Sequence, residues 1–347
     1  MRLFRFRILA LLLSAMVPAW CADAFAAGPI VPGTGHEVST VGDDFEDAAW
    51  EYVPNFPKSS NNMDKRTRNP GGFSKNGRWF EAALRGQPDY VQRVETPPGG
   101  IPGSNGALML RTLQSGIPGN PSHTHQQDDF IANVRAKVGG SISVSYEPSI
   151  TTRVYMPPVE QWENRTGSQF AFRAGCRGGD EMEEYWPGIF IQFQSETQSR
   201  DRKDRITLAV RADGRGRDIS TLNVEQTGWW TLGMSFTADG RVHYYAKPGV
   251  EDLTAADHIA SYTPYSMPCR KVETFFYDVF NQDDGKTWST AWIIDDPKLF
   301  VVRGGEQLES YGRALAKPAA PAAKAPAQAA RAPASTRAPA QQQVRKR

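Results

Sequence analysis

Cysteine is scarce in this chain: three residues in 347, one of which, Cys21, falls in an N-terminal stretch unlike the rest. That count excludes a disulfide-dense scaffold. It leaves a single pair, Cys176 and Cys269, in "AGCRGG" and "SMPCRK", both of which read as loops. In an oxidising compartment such a pair can bridge, although sequence does not place two Cα atoms within bonding range. An apolar run of membrane-spanning length, about 20 residues, is also missing. Charge of one sign is missing too, with 40 Lys and Arg against 38 Asp and Glu. Helical periodicity is nearly absent from the body of the chain, which argues against an α-helical or α/β domain.

The two ends differ from what lies between them. "MRLFRFRILALLLSAMVPAWCADAFAAGP" opens with Arg2, Arg5 and Arg7, continues as a short apolar run to Trp20, and reaches small residues at Ala24 and Ala26. This is the pattern of a secretory signal peptide, expected over 1–26, with Cys21 discarded inside it. The expected location is outside the cytoplasm, secreted or periplasmic within the cell envelope, with no transmembrane segment left after cleavage. At the other end, 314–347 is Ala, Pro and Gln with seven Lys or Arg and no acid. A segment with so little to bury cannot offset the entropy of ordering it, so a disordered basic tail is expected. Its charge suits anionic polymers of the cell envelope. Setting both ends aside removes ten basic residues and one acidic residue. The body, 27–313, keeps 30 basic and 37 acidic residues. An acidic body argues against nucleic acid as its partner.

Within the body, alternation of apolar and polar residues recurs. The stretches 106–113, 149–156, 168–175, 188–194, 205–212, 228–236, 241–247, 273–281 and 288–295 all read as strands. Each is rich in β-branched or aromatic residues and is bounded by Gly, Pro, Asn or Asp. Many short strands without intervening helices predict a sandwich or barrel. "TADGRV" carries the Asp-Gly signal of a tight hairpin, and "NQDDGKTW" reads as a second hairpin turn. The last strand, "WSTAWIID", is expected to stop on Asp295 and Asp296 before Pro297. The segment 54–105 shows few clear strands and many turn residues, and a loop that long in a compact domain is usually functional.

"VGDDFED" (41–47), the hairpin "GWWTLGMSFTADGRVHYYAKPG" (228–249) and "TAWIIDDPKLFV" (290–301) together resemble the concanavalin A-like lectin/glucanase superfamily, here as a secreted bacterial member. The resemblance implies an all-β jelly-roll β-sandwich over 27–313, with 54–105 as a long insertion outside its pattern. It implies a polysaccharide or other glycan as partner. It also implies a structural calcium ion clipping the first strand to the last, with Asp44, Glu46 and Asp296 as candidate ligands. Calcium accepts six to eight oxygens in a forgiving geometry, which suits acidic residues from two ends of a chain.

For chemistry in the groove, the alginate-lyase-like branch of the superfamily carries a Q-I-H triplet and a Y-F-K-x-G segment. "IQFQ" matches the first at Gln192 but has Gln194 where the His belongs; "YYAKPG" matches the second at Tyr245, Lys247 and Gly249. His243, Tyr245 and Lys247 would share one strand face, with Arg173, Arg153 and Tyr155 facing the same groove. A uronate lyase needs such groups to neutralise the acid and move a proton. The laminarinase-like branch has E-x-D-x-x-E on one strand; "GGDEMEEYWPG" offers Glu181 and Glu183 but breaks the third position, so it reads as a loop. His123 and His125 with Asp128 and Asp129 fall short of a zinc ligand set and read as a polar loop. Trp79, Tyr185 and Trp186 lie in apparent loops, where an exposed ring can stack on a sugar. Sugar binding without catalysis needs only such rings, so a lectin-like protein is the leading expectation and a polysaccharide lyase or glycoside hydrolase the alternative.

Overall fold

The computed structural model describes residues 28–316, and the side chains of 28–312. The expected leader and all of the tail beyond 316 lie outside the described residues. The chain opens with β1 (His36–Glu37) and β2 (Tyr52–Val53), then a short helix α1 (Asn61–Asp64). The strands β3 (Phe73–Ser74), β4 (Trp79–Glu81), β5 (Tyr90–Val94) and β6 (Ala107–Arg111) follow. Next come β7 (Gln126–Ala132), the helix α2 (Val134–Val138), β8 (Ile142–Ser143) and β9 (Pro148–Met156). After these run β10 (Gly167–Gly178), β11 (Glu183–Tyr185), β12 (Gly188–Gln194), β13 (Arg205–Arg211) and β14 (Asp218–Val224). The last are β15 (Gly228–Phe236), β16 (Val242–Pro248), β17 (His258–Tyr262), β18 (Cys269–Asn281), β19 (Trp292–Val301) and the helix α3 (Gly305–Ala316). No helix among the described residues is long and apolar enough to cross a membrane.

These strands form two antiparallel sheets packed face to face as a β-sandwich. An eight-stranded sheet runs β17-β16-β15-β9-β19-β6-β5, with β1 on β19; an eleven-stranded sheet runs β14-β13-β12-β10-β18-β7-β4-β3-β2, with β11 and β8 at its margins. Alternation decides what lies between them. On β10, Phe170, Phe172 and Ala174 point inward, and on β18 Phe275, Tyr277 and Val279 do the same. The eight-stranded sheet answers with Ile150, Val154, Leu232, Met234, Trp292 and Ile294. Phe170 stacks on Tyr277 at 5.7 Å and on Trp292 at 5.0 Å. The Tyr277 hydroxyl donates across the sandwich to Thr152 Oγ1 at 2.8 Å, so its one polar atom is satisfied inside the core.

The segment 54–105 contains more order than its sequence shows. It supplies β3 and β4 to one sheet and β5 to the other. Trp79, fully buried, stacks on Phe130 at 4.7 Å. Lys58, 2% exposed, reaches Asp128 at 2.5 Å and Asp89 at 2.9 Å. The Glu81 carboxylate accepts from the backbone of Ser59 and Gly72 and from the Asn55 side chain. A buried ring, a buried Lys58 paired with two carboxylates, and a buried, hydrogen-bonded Glu81 therefore hold a stretch that has no long apolar run of its own.

Four local expectations change. "HTHQQDDF" is largely strand β7, so Asp128 and Asp129 point to opposite faces. β19 does not stop at its acidic pair. It continues to Val301 through a bulge between Asp295 and Lys298, with Asp296 in the left-handed region at φ 49° and Pro297 directly after it. A bulge absorbs a proline without a ladder hydrogen bond, which is why the strand survives. "NQDDGKTW" turns at Asp284, whose carboxylate accepts from the backbone of Lys286 and Thr287, but β18 and β19 belong to different sheets. It is a crossover, not a hairpin. The helix α3 begins at Gly305 and runs through Ala316, so 314–316, assigned from composition to the tail, continue a helix.

Truncating Trp79 removes the ring that seats the long segment. Trp79→Ala is expected to cost about 3–5 kcal/mol in denaturant unfolding. Phe73→Ala, at a ring 46% exposed, is expected to stay within about 0.5 kcal/mol of the parent.

Candidate functional site

The outward face of the eleven-stranded sheet carries a row of side chains in cross-strand register. Phe73 on β3 lies opposite Phe80 on β4, and Phe80 opposite Ile131 on β7. Ile131 lies opposite Phe276 on β18, Phe276 opposite Arg173 on β10, and Arg173 opposite Gly188 on β12. Neighbouring strands are about 4.8 Å apart, so the five side chains from Phe73 to Arg173 span about 19 Å across the strands. Phe73 and Phe80 are 46% and 36% exposed, whereas Phe276 and Arg173 are buried. Where the row sinks, a pocket of about 330 Å³ opens; its lining includes Arg85, Gln127, Asp129, Arg173, Trp186 and Phe276. Gly188 has a structural reason to be Gly, since a Cβ there would lie 2.5 Å from Arg173 Cγ.

The floor of this pocket is charged. Arg173 Nη1 donates to Asp278 Oδ2 at 3.0 Å, and Nη2 donates to the Trp186 carbonyl at 2.9 Å. The guanidinium sits over the rings of Phe190 at 5.3 Å and Phe276 at 5.4 Å. This sandwich between two aromatic faces holds the cation where water is scarce. Asp129 stands directly across from Asp278 in the β7–β18 ladder. Its carboxyl titrates well above the ordinary range, chiefly through burial and next through the charge of Asp278; Arg85, Gln127 and Arg173 oppose the shift. Gln127 Nε2 donates to Asp129 Oδ1 at 2.9 Å. Two polar atoms here, Asp278 Oδ1 and Arg173 Nε, have no hydrogen-bond partner among the described residues. Two acids side by side, one buried against an arginine and one driven toward its neutral form, are a common mark of a functional site.

Of the residues picked from the sequence, Arg173 is in this pocket, and Trp186 and Gln192 lie on the same face. Gln192 borders a neighbouring hollow with His125 and Thr207. The others are elsewhere. His243, Tyr245 and Lys247 are on β16, in the opposite sheet. His243 is 2% exposed and held between Thr237 Oγ1 at 2.9 Å and Ser261 Oγ at 2.6 Å. Burial, and then His258, push its pKa down to about 4, so it is neutral at physiological pH. Tyr245 is buried against His258, and Lys247 donates to the Asp252 carbonyl. The lyase-like set is thus split between two sheets. Arg153 is buried in pairs with Asp252 and Asp296, and Tyr155 packs on Trp229. Trp79 and Tyr185 are core residues, which removes them as sugar-stacking rings. Cys176 and Cys269 are buried free thiols on β10 and β18, not loop residues. Glu181 and Glu183 are respectively on a turn and an exposed short strand. Asp129 and Asp278 were the residues to find. The signal for Asp278 is "FFYDVF", a carboxylate alternating with two aromatics on a strand otherwise apolar.

The acids from both chain ends do meet. Asp44, Glu46, Asp295 and Asp296 line one open hollow of about 300 Å³. Their oxygens are already engaged, however. Glu46 accepts from the Asn105 backbone at 3.0 Å, Asp295 from Ser104 Oγ at 3.1 Å, and Asp296 pairs with Arg153 at 3.0 Å and Lys298 at 2.9 Å. Among the described residues no three His, Cys, Asp or Glu side chains are gathered as a metal ion requires. Arg153 and Lys298 already supply positive charge at Asp296, one of the three ligands expected for calcium. Asp295 is pushed up to about 7, first by burial and then by Asp296 and Glu46.

No protein-family model matches the chain, and no curated protein matches it. Solved structures with a similar fold include a carbohydrate esterase from Shiga toxin-encoding bacteriophage phi24B, at 11% identity, covering 65% of this chain and 91% of that one, with a TM-score of 0.39. An alginate lyase from Pseudomonas aeruginosa is 10% identical over 62% of this chain and 87% of its own, TM-score 0.36. An endo-β-1,4-glucuronan lyase from Trichoderma reesei is 13% identical over 72% and 94%, TM-score 0.34. The likeness is one of overall fold.

Two outcomes follow from these charges. Asp278→Ala strands Arg173 without its partner and is expected to cost about 3–5 kcal/mol in chemical denaturation, whereas Arg173→Met with Asp278→Leu is expected to recover most of that loss. At Asp295, a folded pKa near 7 lies above the unfolded value, so its contribution is full at acid pH and is lost as pH rises through about 7. Melting temperature should therefore fall between about pH 4 and 7 on account of this group, and Asp295→Asn should flatten that part of the profile.

Proposed function

We propose that this protein binds a polysaccharide across the outward face of the eleven-stranded sheet, as a secreted, lectin-like protein directed outside the cytoplasm by residues 1–26. The observation that carries the reading is the registered row of Phe73, Phe80, Ile131 and Phe276 leading into a charged pocket. Exposed rings beside a few fixed polar groups are what a sugar chain meets: apolar C–H faces on the rings, hydroxyls on Gln127, Asp129 and the Trp186 backbone. The row runs across the strands, so a bound glycan lies perpendicular to them and crosses β3, β4, β7, β18 and β10 in turn. A linear chain of sugars fits that track better than a compact ligand confined to the pocket.

Catalysis has weaker support. Glycoside hydrolysis needs two carboxyl groups flanking the scissile bond, both in reach of the sugar. Asp278 is fully buried beneath Arg173, which leaves Asp129 and the rim residue Glu184 as the carboxyl groups lining the pocket, and the Glu184 side chain is fixed by no hydrogen bond or ion pair among the described residues. The residues matching a lyase set at His243, Tyr245 and Lys247 face no common surface with Arg173. Binding is the function for which the arrangement supplies the groups.

Affinity for soluble oligosaccharides of increasing length, measured by calorimetry, tests this. Binding is expected to tighten with length until the chain spans the row. Phe80→Ala and Trp186→Ala are each expected to weaken long oligosaccharides by about tenfold, the usual effect of removing one stacking ring from a binding patch. Phe80→Ala should leave the shortest ones unaffected. Length-independent affinity, or no effect of Phe80→Ala, would remove the glycan track.

A further inference from the structure

We propose that the pocket at the end of this row takes an acidic sugar, one bearing a carboxylate, and that the guanidinium of Arg85 receives that carboxylate. The inference rests on the reading of the groove as a glycan site and narrows it to a substrate class.

Three arginines line the pocket, and two are already committed. Arg173 is held by Asp278 and the Trp186 carbonyl; Arg211 is held by Asp218 at 2.6 Å and by the Tyr265 hydroxyl at 2.7 Å. Arg85 is half-buried in the lining, and among the described residues its side chain forms no ion pair and donates no hydrogen bond. A half-buried guanidinium with five donors and no acceptor is a site for a planar anion, and a carboxylate matches it in two parallel bonds.

Asp129 is a buried carboxyl that feels the charge of Arg85, and its burial beside Asp278 keeps it from pairing with that guanidinium. Asp129 lies across the ladder from Asp278, whose Oδ1 is fully buried and has no hydrogen-bond partner among the described residues. Burial, and then the charge of Asp278, hold the Asp129 carboxyl toward its neutral form, and Arg173 pairs with Asp278 at 3.0 Å. Gln127 faces Asp129 from its own strand, Arg173 from β10, Arg211 from β13 and Glu184 from the exposed rim. Arg211 is neutralised by Asp218, and Glu184 is open to water and weakly felt. With Asp129 neutral, the pocket keeps one positive charge in excess, on Arg85. When Asp129 ionises, its own carboxylate competes for that guanidinium. Binding of an acidic sugar is therefore strongest below the titration of Asp129 and declines above it.

The test is calorimetric titration of the full chain with a hexameric oligouronate and with its carboxyl-reduced, neutral counterpart. The uronate is expected to bind about tenfold tighter than the reduced form, the worth of one charge-assisted hydrogen-bonded pair. Arg85→Gln, a change at the pocket rim that leaves the fold intact by circular dichroism, should erase that preference and spare the reduced form. Raising the pH should weaken uronate binding alone, and Asp129→Asn should remove the weakening. Equal affinity for the two forms, with the Phe80→Ala effect on both, would overturn the acidic-sugar inference and leave the glycan track standing. Failure of both forms to bind would overturn the glycan track and this inference together.

Discussion

One buried ion pair constrains the rest of the site. Arg173 and Asp278 occupy neighbouring strands at the middle of the larger sheet, each nearly without access to water. Taking two charges out of water costs several kcal/mol apiece, and the cost is recovered only where geometry and further hydrogen bonds are good. Here the guanidinium is clamped between Phe190 and Phe276 and tied to the Trp186 carbonyl. That tie fixes the turn bearing Trp186 against the sheet. The close approach of Gly188 leaves room for the arginine stem. Burial, and then the charge of Asp278, drive the neighbouring Asp129 toward its neutral form. The pocket's shape and its aromatic walls therefore share one cause, which also contributes to its proton balance.

The fold was legible because alternation is a local signal. "GWWTLGMSF" and "GIFIQFQ" each show which residues point inward without reference to any other part of the chain, and the strands Gly228–Phe236 and Gly188–Gln194 match them residue for residue. The hairpin at Asp239-Gly240 was equally local, with the Gly240 amide donating to the Thr237 carbonyl. Less legible was the segment 54–105. What orders it is Lys58 meeting Asp128, Glu81 meeting the Ser59 and Gly72 amides, and Trp79 meeting Phe130. Those partners are far apart in sequence or are backbone atoms, and no window of residues displays them.

The site was harder to read for a different reason. Alternation tells which face a residue takes on its own strand but not to which sheet that strand belongs. Tyr245 and Lys247 match a groove-facing motif in type and spacing, yet β16 pairs with β15 and β17 in the other sheet. Trp79 and Tyr185 sit among turn residues, which made them look exposed; their large apolar bodies are buried all the same, as rings usually are when a core is near. Arg173 entered as a groove-facing group of the lyase-like set; a charge inside "FAFRAG" is also costly to bury and so demands a partner. Asp278 in "FFYDVF" obeys the same logic, and the two are partners. A charged residue in the middle of an aromatic strand is the sequence feature common to both.

The account turns on whether Asp129, buried across the ladder from Asp278, keeps its proton well above the ordinary carboxylate range. Carboxyl carbon chemical shifts of the two side chains, followed by NMR from acid to alkaline pH, measure this without any ligand. The account predicts that the Asp129 carboxyl stays protonated well above the ordinary carboxylate range, and that this high inflection disappears in Asp129→Asn. Two independent titrations, both complete near pH 4 as for exposed carboxylates, would contradict it.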